Sequence, residues 1–149
     1  MNGAKTQWAN VLLGLVGCGT SAWAVHVHRL AKAGQDTGCG ITDTISCDKV
    51  VTSKWAELFG IPLGFYGLMF FAVIIVAAIA TKTTKATPRQ FALQNLALAA
   101  VGFGGSMVLL YISKVIIGNW CPVCLSTHAT TTLLFIVSLF TYLRARRLD

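Results

Sequence analysis

The chain has 149 residues, 55% of them hydrophobic and 11% charged, with five cysteines and a formal net charge of +7. A soluble domain carries about 25% charged residues, so this composition excludes an ordinary soluble core and points to lipid. The positive charge invites a nucleic-acid partner, and its placement along the chain argues against one.

Four apolar stretches reach the roughly 20 residues that a bilayer-crossing helix needs: Trp8–Leu30, Ile61–Ala80, Phe91–Ile117 and Cys121–Leu143. The first opens at Trp8, a residue type favoured at the membrane interface. Its only basic forerunner is Lys5, and no small-residue cleavage pattern ends it, so it is expected as a retained helix rather than a signal peptide. Gly14, Gly17 and Gly19 within it are expected to allow close helix approach. Cys18 in the same stretch reads as an inert buried thiol, and His26 and His28 near the helix end as solvated.

A loop of about thirty residues follows, from about Ala31 to Gly60. Gly34, Asp36 and Gly38 make its first part turn-rich and exposed. Trp55, Leu58 and Phe59 have the spacing of a short amphipathic helix lying apolar side down, so the loop is expected to cap the bundle. Pro62 suits the first turn of the second helix, and Thr87-Pro88 marks the start of the third. Gly102, Gly104, Gly105 and Ser106 read as further close-packing positions, and Lys114 as a snorkelling side chain. Residues 1–149 therefore form a single all-α membrane unit, with no repeat and no soluble second domain.

The charges give an orientation. Lys5, Lys82, Lys85, Arg89, Arg144, Arg146 and Arg147 stand against Asp149 alone on one side. On the other, the long loop balances Arg29, Lys32, Lys49 and Lys54 with Asp36, Asp43, Asp48 and Glu57. Short cytoplasmic loops are enriched in Lys and Arg, so both termini are expected in the cytoplasm and the long loop outside.

Four of the cysteines fall on that outer side, where disulfides persist. Cys39 and Cys47 lie in the loop, and Cys121-Pro122-Val123-Cys124 opens the fourth helix. A helix N-terminus carries about half a positive charge and stabilises a thiolate. Residues three apart share a helix face, so both sulfurs of this pair can close a reducible disulfide. Cys121 is expected nearer the surface and Cys124 one turn deeper. Permanent structural disulfides and a four-cysteine zinc site are the alternatives, and the seven residues between Cys39 and Cys47 suit a zinc knuckle poorly.

These segments together resemble the vitamin K epoxide reductase family. The resemblance rests on Ala24-Val25-His26-Val27-His28, on Cys39 with Cys47, and on the string Ile45-Ser46-Cys47-Asp48-Lys49-Val50-Val51-Thr52-Ser53. Ser53-Lys54-Trp55, Phe59-Gly60-Ile61-Pro62-Leu63 and the Cys121–Cys124 motif extend it over nearly the whole chain. It implies a four-helix bundle around a quinone, ubiquinone or menaquinone (vitamin K), capped by the loop. It also implies that Cys121 and Cys124 are the active-site pair and that Cys39 and Cys47 feed them. Ser53, Phe59 and His128 are the implied quinone-contacting residues, with His128 standing where vertebrate members have a tyrosine. The Gly60–Leu63 string looks like the bacterial branch, whose task is to oxidise a thioredoxin-like partner in the inner membrane. With the chain ending at Asp149, that partner is expected to be a separate protein. A vitamin K epoxide reductase of the ER membrane is the alternative within the family. Cys39 lies in the more exposed part of the loop and Cys47 nearer the capping stretch. The expected electron path therefore runs from partner to Cys39, from Cys47 to Cys121, and from Cys124 to quinone.

Overall fold

In the computed structural model, residues 3–80 and 87–147 are described, so Lys82, Lys85 and Asp149 of the charge argument lie outside the described residues. In lipid, a chain must satisfy its backbone polar groups internally, which long apolar segments do as helices. The chain runs α1 (Gly3–Lys32), α2 (Cys47–Val51), β1 (Glu57–Leu58), β2 (Ile61–Pro62), α3 (Leu63–Ala80), α4 (Pro88–Tyr111) and α5 (Pro122–Arg147). Among the described residues, four helices are long and apolar enough to cross a membrane: Lys5–Lys32, Leu63–Ala80, Pro88–Ile117 and Pro122–Arg147. The protein is thus an all-α membrane bundle, as its composition requires.

The start of α4 is fixed locally. Thr87 Oγ1 accepts from the Gln90 N–H at 3.3 Å, Gln90 Oε1 accepts from the Thr87 N–H at 3.1 Å, and Pro88 takes the first helical position. Its far end differs from the uniform helix expected through Ile117. Ile112–Ile117 widens into a π-helical turn that stops at Gly118, whose φ of 77° is left-handed. Ser113 stitches this end down: its hydroxyl donates to the Asn119 carbonyl at 2.7 Å, and its own carbonyl accepts from the Asn119 N–H at 3.1 Å.

α1 packs most extensively on α3 and then on α5, α4 packs on α5, and α3 meets α4 only sparsely. A Cβ on Gly17 would overlap the Phe71 ring, and one on Gly102 the Phe70 ring, so these two glycines are close-approach positions. Gly19, Gly104 and Gly105 are not, since a Cβ at each would meet open space. Phe71, Ile74, Ala99 and Leu134 form the mid-bundle core. A second core of Val27, Cys47, Val51 and Cys121 seals the loop end.

The loop end of the bundle corrects two expectations. Its helix is α2, not Trp55–Phe59. The latter segment turns into the β1–β2 hairpin, pairing Glu57 with Pro62 and Leu58 with Ile61. The turn residues Phe59 and Gly60 both have positive φ, 53° and 76°, the backbone of a primed two-residue turn. Leu58, Phe59 and Ile61 are exposed rather than turned down onto the bundle. Second, His28 is buried and not solvated, while His26 is exposed. The loop is tied to the linker before α5 by a parallel bridge between Ile45 and Trp120.

Candidate active site

Cys39 and Cys47 are joined as a disulfide with Cα atoms 5.5 Å apart. Cys47 opens α2 and is fully buried. Its sulfur lies 3.5 Å from that of Cys121, which is itself buried just before α5. The contact has a backbone cause. The Ser46 N–H donates to the Trp120 carbonyl at 3.0 Å, and the Trp120 N–H donates to the Thr44 carbonyl at 2.9 Å. The residue preceding each cysteine is thereby fixed to the other segment. Lys114 Nζ stands 4.7 Å from the centre of the Trp120 ring, holding this linker from the side of α4.

The Cys121 sulfur accepts the Cys124 N–H at 3.3 Å. The Cys124 thiol beside it, together with the backbone N–H groups of Cys124 and Val123, holds the Cys121 thiol below the usual cysteine range, with burial opposing. A sulfur prone to ionise therefore stands against the Cys47 side of a disulfide, the arrangement that thiol–disulfide exchange requires.

Cys124 faces elsewhere. It lines a cavity of about 310 Å³ bordered by α1, the loop, α3, α4 and α5, where α3 and α4 part. Phe70, Phe71, Leu109 and Ile112 supply apolar wall. Ser106 and His128 form a buried hydrogen-bonded pair between α4 and α5 on the same cavity. Such a space, apolar with a few convergent polar groups, is the usual form of a small-molecule site. Ser53 also lines it, with its hydroxyl donating to the Val50 carbonyl at 2.7 Å. Cys121 is not among the lining residues, so the two sulfurs of the motif look to different surroundings.

Of the residues named from the sequence, the structure brings together Cys39, Cys47, Cys121 and Cys124, and sets Ser53 and His128 on the cavity. It does not bring Phe59 there: at the hairpin tip this ring is 91% exposed. Sequence reasoning missed Ser106 as the partner of His128, because a serine among glycines reads as packing. It also missed His28, which lines the cavity and pairs with Glu57 29 residues away. No local pattern signals that pairing.

A family model described as the vitamin K epoxide reductase family matches residues 8–139. Vitamin K epoxide reductase complex subunit 1 of Rattus norvegicus is 25% identical over 139 residues, covering 83% of this chain and 83% of the rat protein.

Proposed function

The chain belongs to the vitamin K epoxide reductase family, a family of membrane disulfide oxidoreductases linked to quinones, and we propose that it oxidises a separate thioredoxin-like protein on the outer face of a bacterial inner membrane. The observation that carries this reading is the 3.5 Å approach of Cys47 to Cys121 while Cys124 faces the cavity. A permanent staple needs no third sulfur within reach. Here the loop disulfide has one, and that sulfur has its own partner one helical turn on.

A partner thiolate attacks Cys39, the Cys39–Cys47 bond breaks, and the partner's second thiolate releases itself as a disulfide. The reduced loop pair then acts on an oxidised helix pair. The Cys47 thiolate attacks Cys121 and expels Cys124, and Cys39 closes back on Cys47. Two electrons now rest on Cys121 and Cys124, and the loop disulfide is restored, as in the geometry described. The ordinary thiol range is near 8.5, so lowering Cys121 beneath it makes this sulfur a better leaving group when the loop pair must be re-formed.

The cavity residues fit a quinone, a flat apolar molecule with carbonyl oxygens at its edge. Its size falls at the lower end of the roughly 300–1,000 Å³ common for such sites, enough for a ring with its tail leaving between α3 and α4. Ser106 and His128 would hold a carbonyl oxygen, and Cys124 would face the ring. A bound quinone supplies the acceptor for two electrons and two protons.

The test mixes purified protein with a reduced thioredoxin-like protein and ubiquinone or menaquinone, and follows quinone absorbance and partner thiols together. One quinone reduced per partner disulfide formed is the expected result. Partner oxidation without quinone consumption would refute the reading.

A further inference from the structure

His28 takes no part in the sulfur relay, yet it is buried on the cavity wall. Its Nε2 lies 3.0 Å from Glu57 Oε1, and the same carboxylate oxygen is paired with Lys32 Nζ. Side-chain exposure rises along this row, from 6% at His28 to 28% at Glu57 and 55% at Lys32. The row thus leads from the cavity to the solvent on the loop side. Burying a polar ring costs free energy unless it is partnered, and an apolar residue would pack the same wall at lower cost.

The other titratable groups on the cavity are differently engaged. His128 is paired with Ser106, the Tyr66 hydroxyl donates to the Leu58 carbonyl at 3.0 Å, and Cys124 belongs to the sulfur pair. Among the described titratable groups there, His28 alone is bonded to a charged side chain that reaches solvent. The row draws on two elements: His28 and Lys32 from α1, Glu57 from the β1 strand.

Thiol–disulfide exchange proceeds through thiolates, so the partner's thiol protons are left in solvent on the loop side. Reducing a quinone to a hydroquinone consumes two electrons and two protons. Two protons must therefore reach an apolar cavity from outside it. Resting on the function proposed above, we propose that His28, oriented by Glu57, is the residue through which protons pass from loop-side solvent into the cavity. Protons are then released and taken up on one side of the membrane, and the reaction moves no net charge across it. Glu57 acts through His28 and is a positioning residue.

The first measurement needs no quinone. Intact protein in detergent is treated with diethylpyrocarbonate, and carbethoxylation is mapped by mass spectrometry. His28 should be modified slowly in the wild type, where it is buried behind Glu57, and faster when Glu57→Ala removes that cover. No change with Glu57→Ala would overturn the route. The second measurement follows quinone reduction across mildly acid to mildly alkaline pH, beside the redox state of the four cysteines in quinone-free protein. A positioned proton donor contributes about 10²-fold or more. His28→Ala should slow quinone reduction by about that factor, with added imidazole restoring it. Glu57→Gln should shift the pH profile, and the quinone-free exchange should stay at the wild-type rate in both variants. Slowing of exchange and quinone reduction together, without imidazole rescue, would reduce His28 to a clamp on the loop and refute the proposal. A wild-type quinone rate in His28→Ala would refute it too. Failure of the wild type itself to reduce quinone would instead overturn the underlying function, and is recognised by exchange without quinone turnover.

Discussion

The sulfur of Cys121 stands 3.5 Å from that of Cys47, and the residues before them, Trp120 and Ser46, share a 3.0 Å backbone hydrogen bond. A bond between these two sulfurs therefore needs little rearrangement. In the double variant Cys39→Ser with Cys124→Ser, each loses its usual partner. A Cys47–Cys121 disulfide should form within the chain under mild oxidant. Peptide mapping without reductant detects it, and free thiols at both positions would exclude the direct route.

The backbone bridge rather than the serine side chain should hold this geometry. Ser46 has an extended φ of −148°, whereas proline requires about −65° and has no N–H. Ser46→Pro should abolish formation of the trapped disulfide, and Ser46→Ala should leave it intact. Equal yields from the two variants would show that the bridge is dispensable.

The lowered Cys121 thiol has a defined pH consequence. A group whose pKa falls keeps its charged form at lower pH, so the thiolate of Cys121 should persist below the range of a free cysteine. With Cys39 and Cys47 replaced by serine, the rate of Cys121 alkylation should reach its half-maximum below that of glutathione measured alongside. Cys124→Ala removes the leading cause, and the midpoint should rise. An unchanged midpoint would refute the assignment.

Helix packing makes its own prediction. Gly17→Ala drives a methyl group into the Phe71 ring, an overpacking that costs about 1–3 kcal/mol. Gly104→Ala adds the same group in open space and should be neutral or slightly stabilising, since alanine is the better helix former. Thermal unfolding in detergent should lower Tm for the first variant only. A second change, Phe71→Leu, should recover part of the loss.

The expected orientation is tested separately. After reduction of intact cells, a membrane-impermeant maleimide should label Cys39, the half-buried member of the loop pair. Labelling confined to inverted vesicles would reverse the topology inferred from the basic residues.

The four spans were legible because lipid permits little else: long apolar runs with few charges have one way to satisfy their backbones. The two cysteine pairs were legible because their chemistry is written in residue type and spacing. The hairpin was not. Trp55, Leu58 and Phe59 fit a helical spacing, and the competing signal was the brief Phe59-Gly60 turn, whose positive φ values decide the outcome. Phe59 consequently points out to the surroundings instead of toward the cavity. The Ile45–Trp120 bridge joins two irregular segments through backbone atoms, which leave no side-chain signature. Likewise, Gly17 and Gly104 are the same letter in similar runs, and only the neighbouring helix determines which one is crowded.

That bridge also bears on tempo. Rotation of a side chain between rotamers takes picoseconds to nanoseconds when it is exposed, whereas loops move over nanoseconds to microseconds and larger rearrangements take longer. With Ser46 fastened to Trp120, the proposed hand-over between Cys47 and Cys121 would require the sulfurs to turn, not the cap to swing. Under the proposed relay, the slow events are displaced to the periphery, where the partner protein would find Cys39 and depart. Turnover should accordingly respond to solvent viscosity and to the concentration of that protein before it responds to any stiffening of the loop.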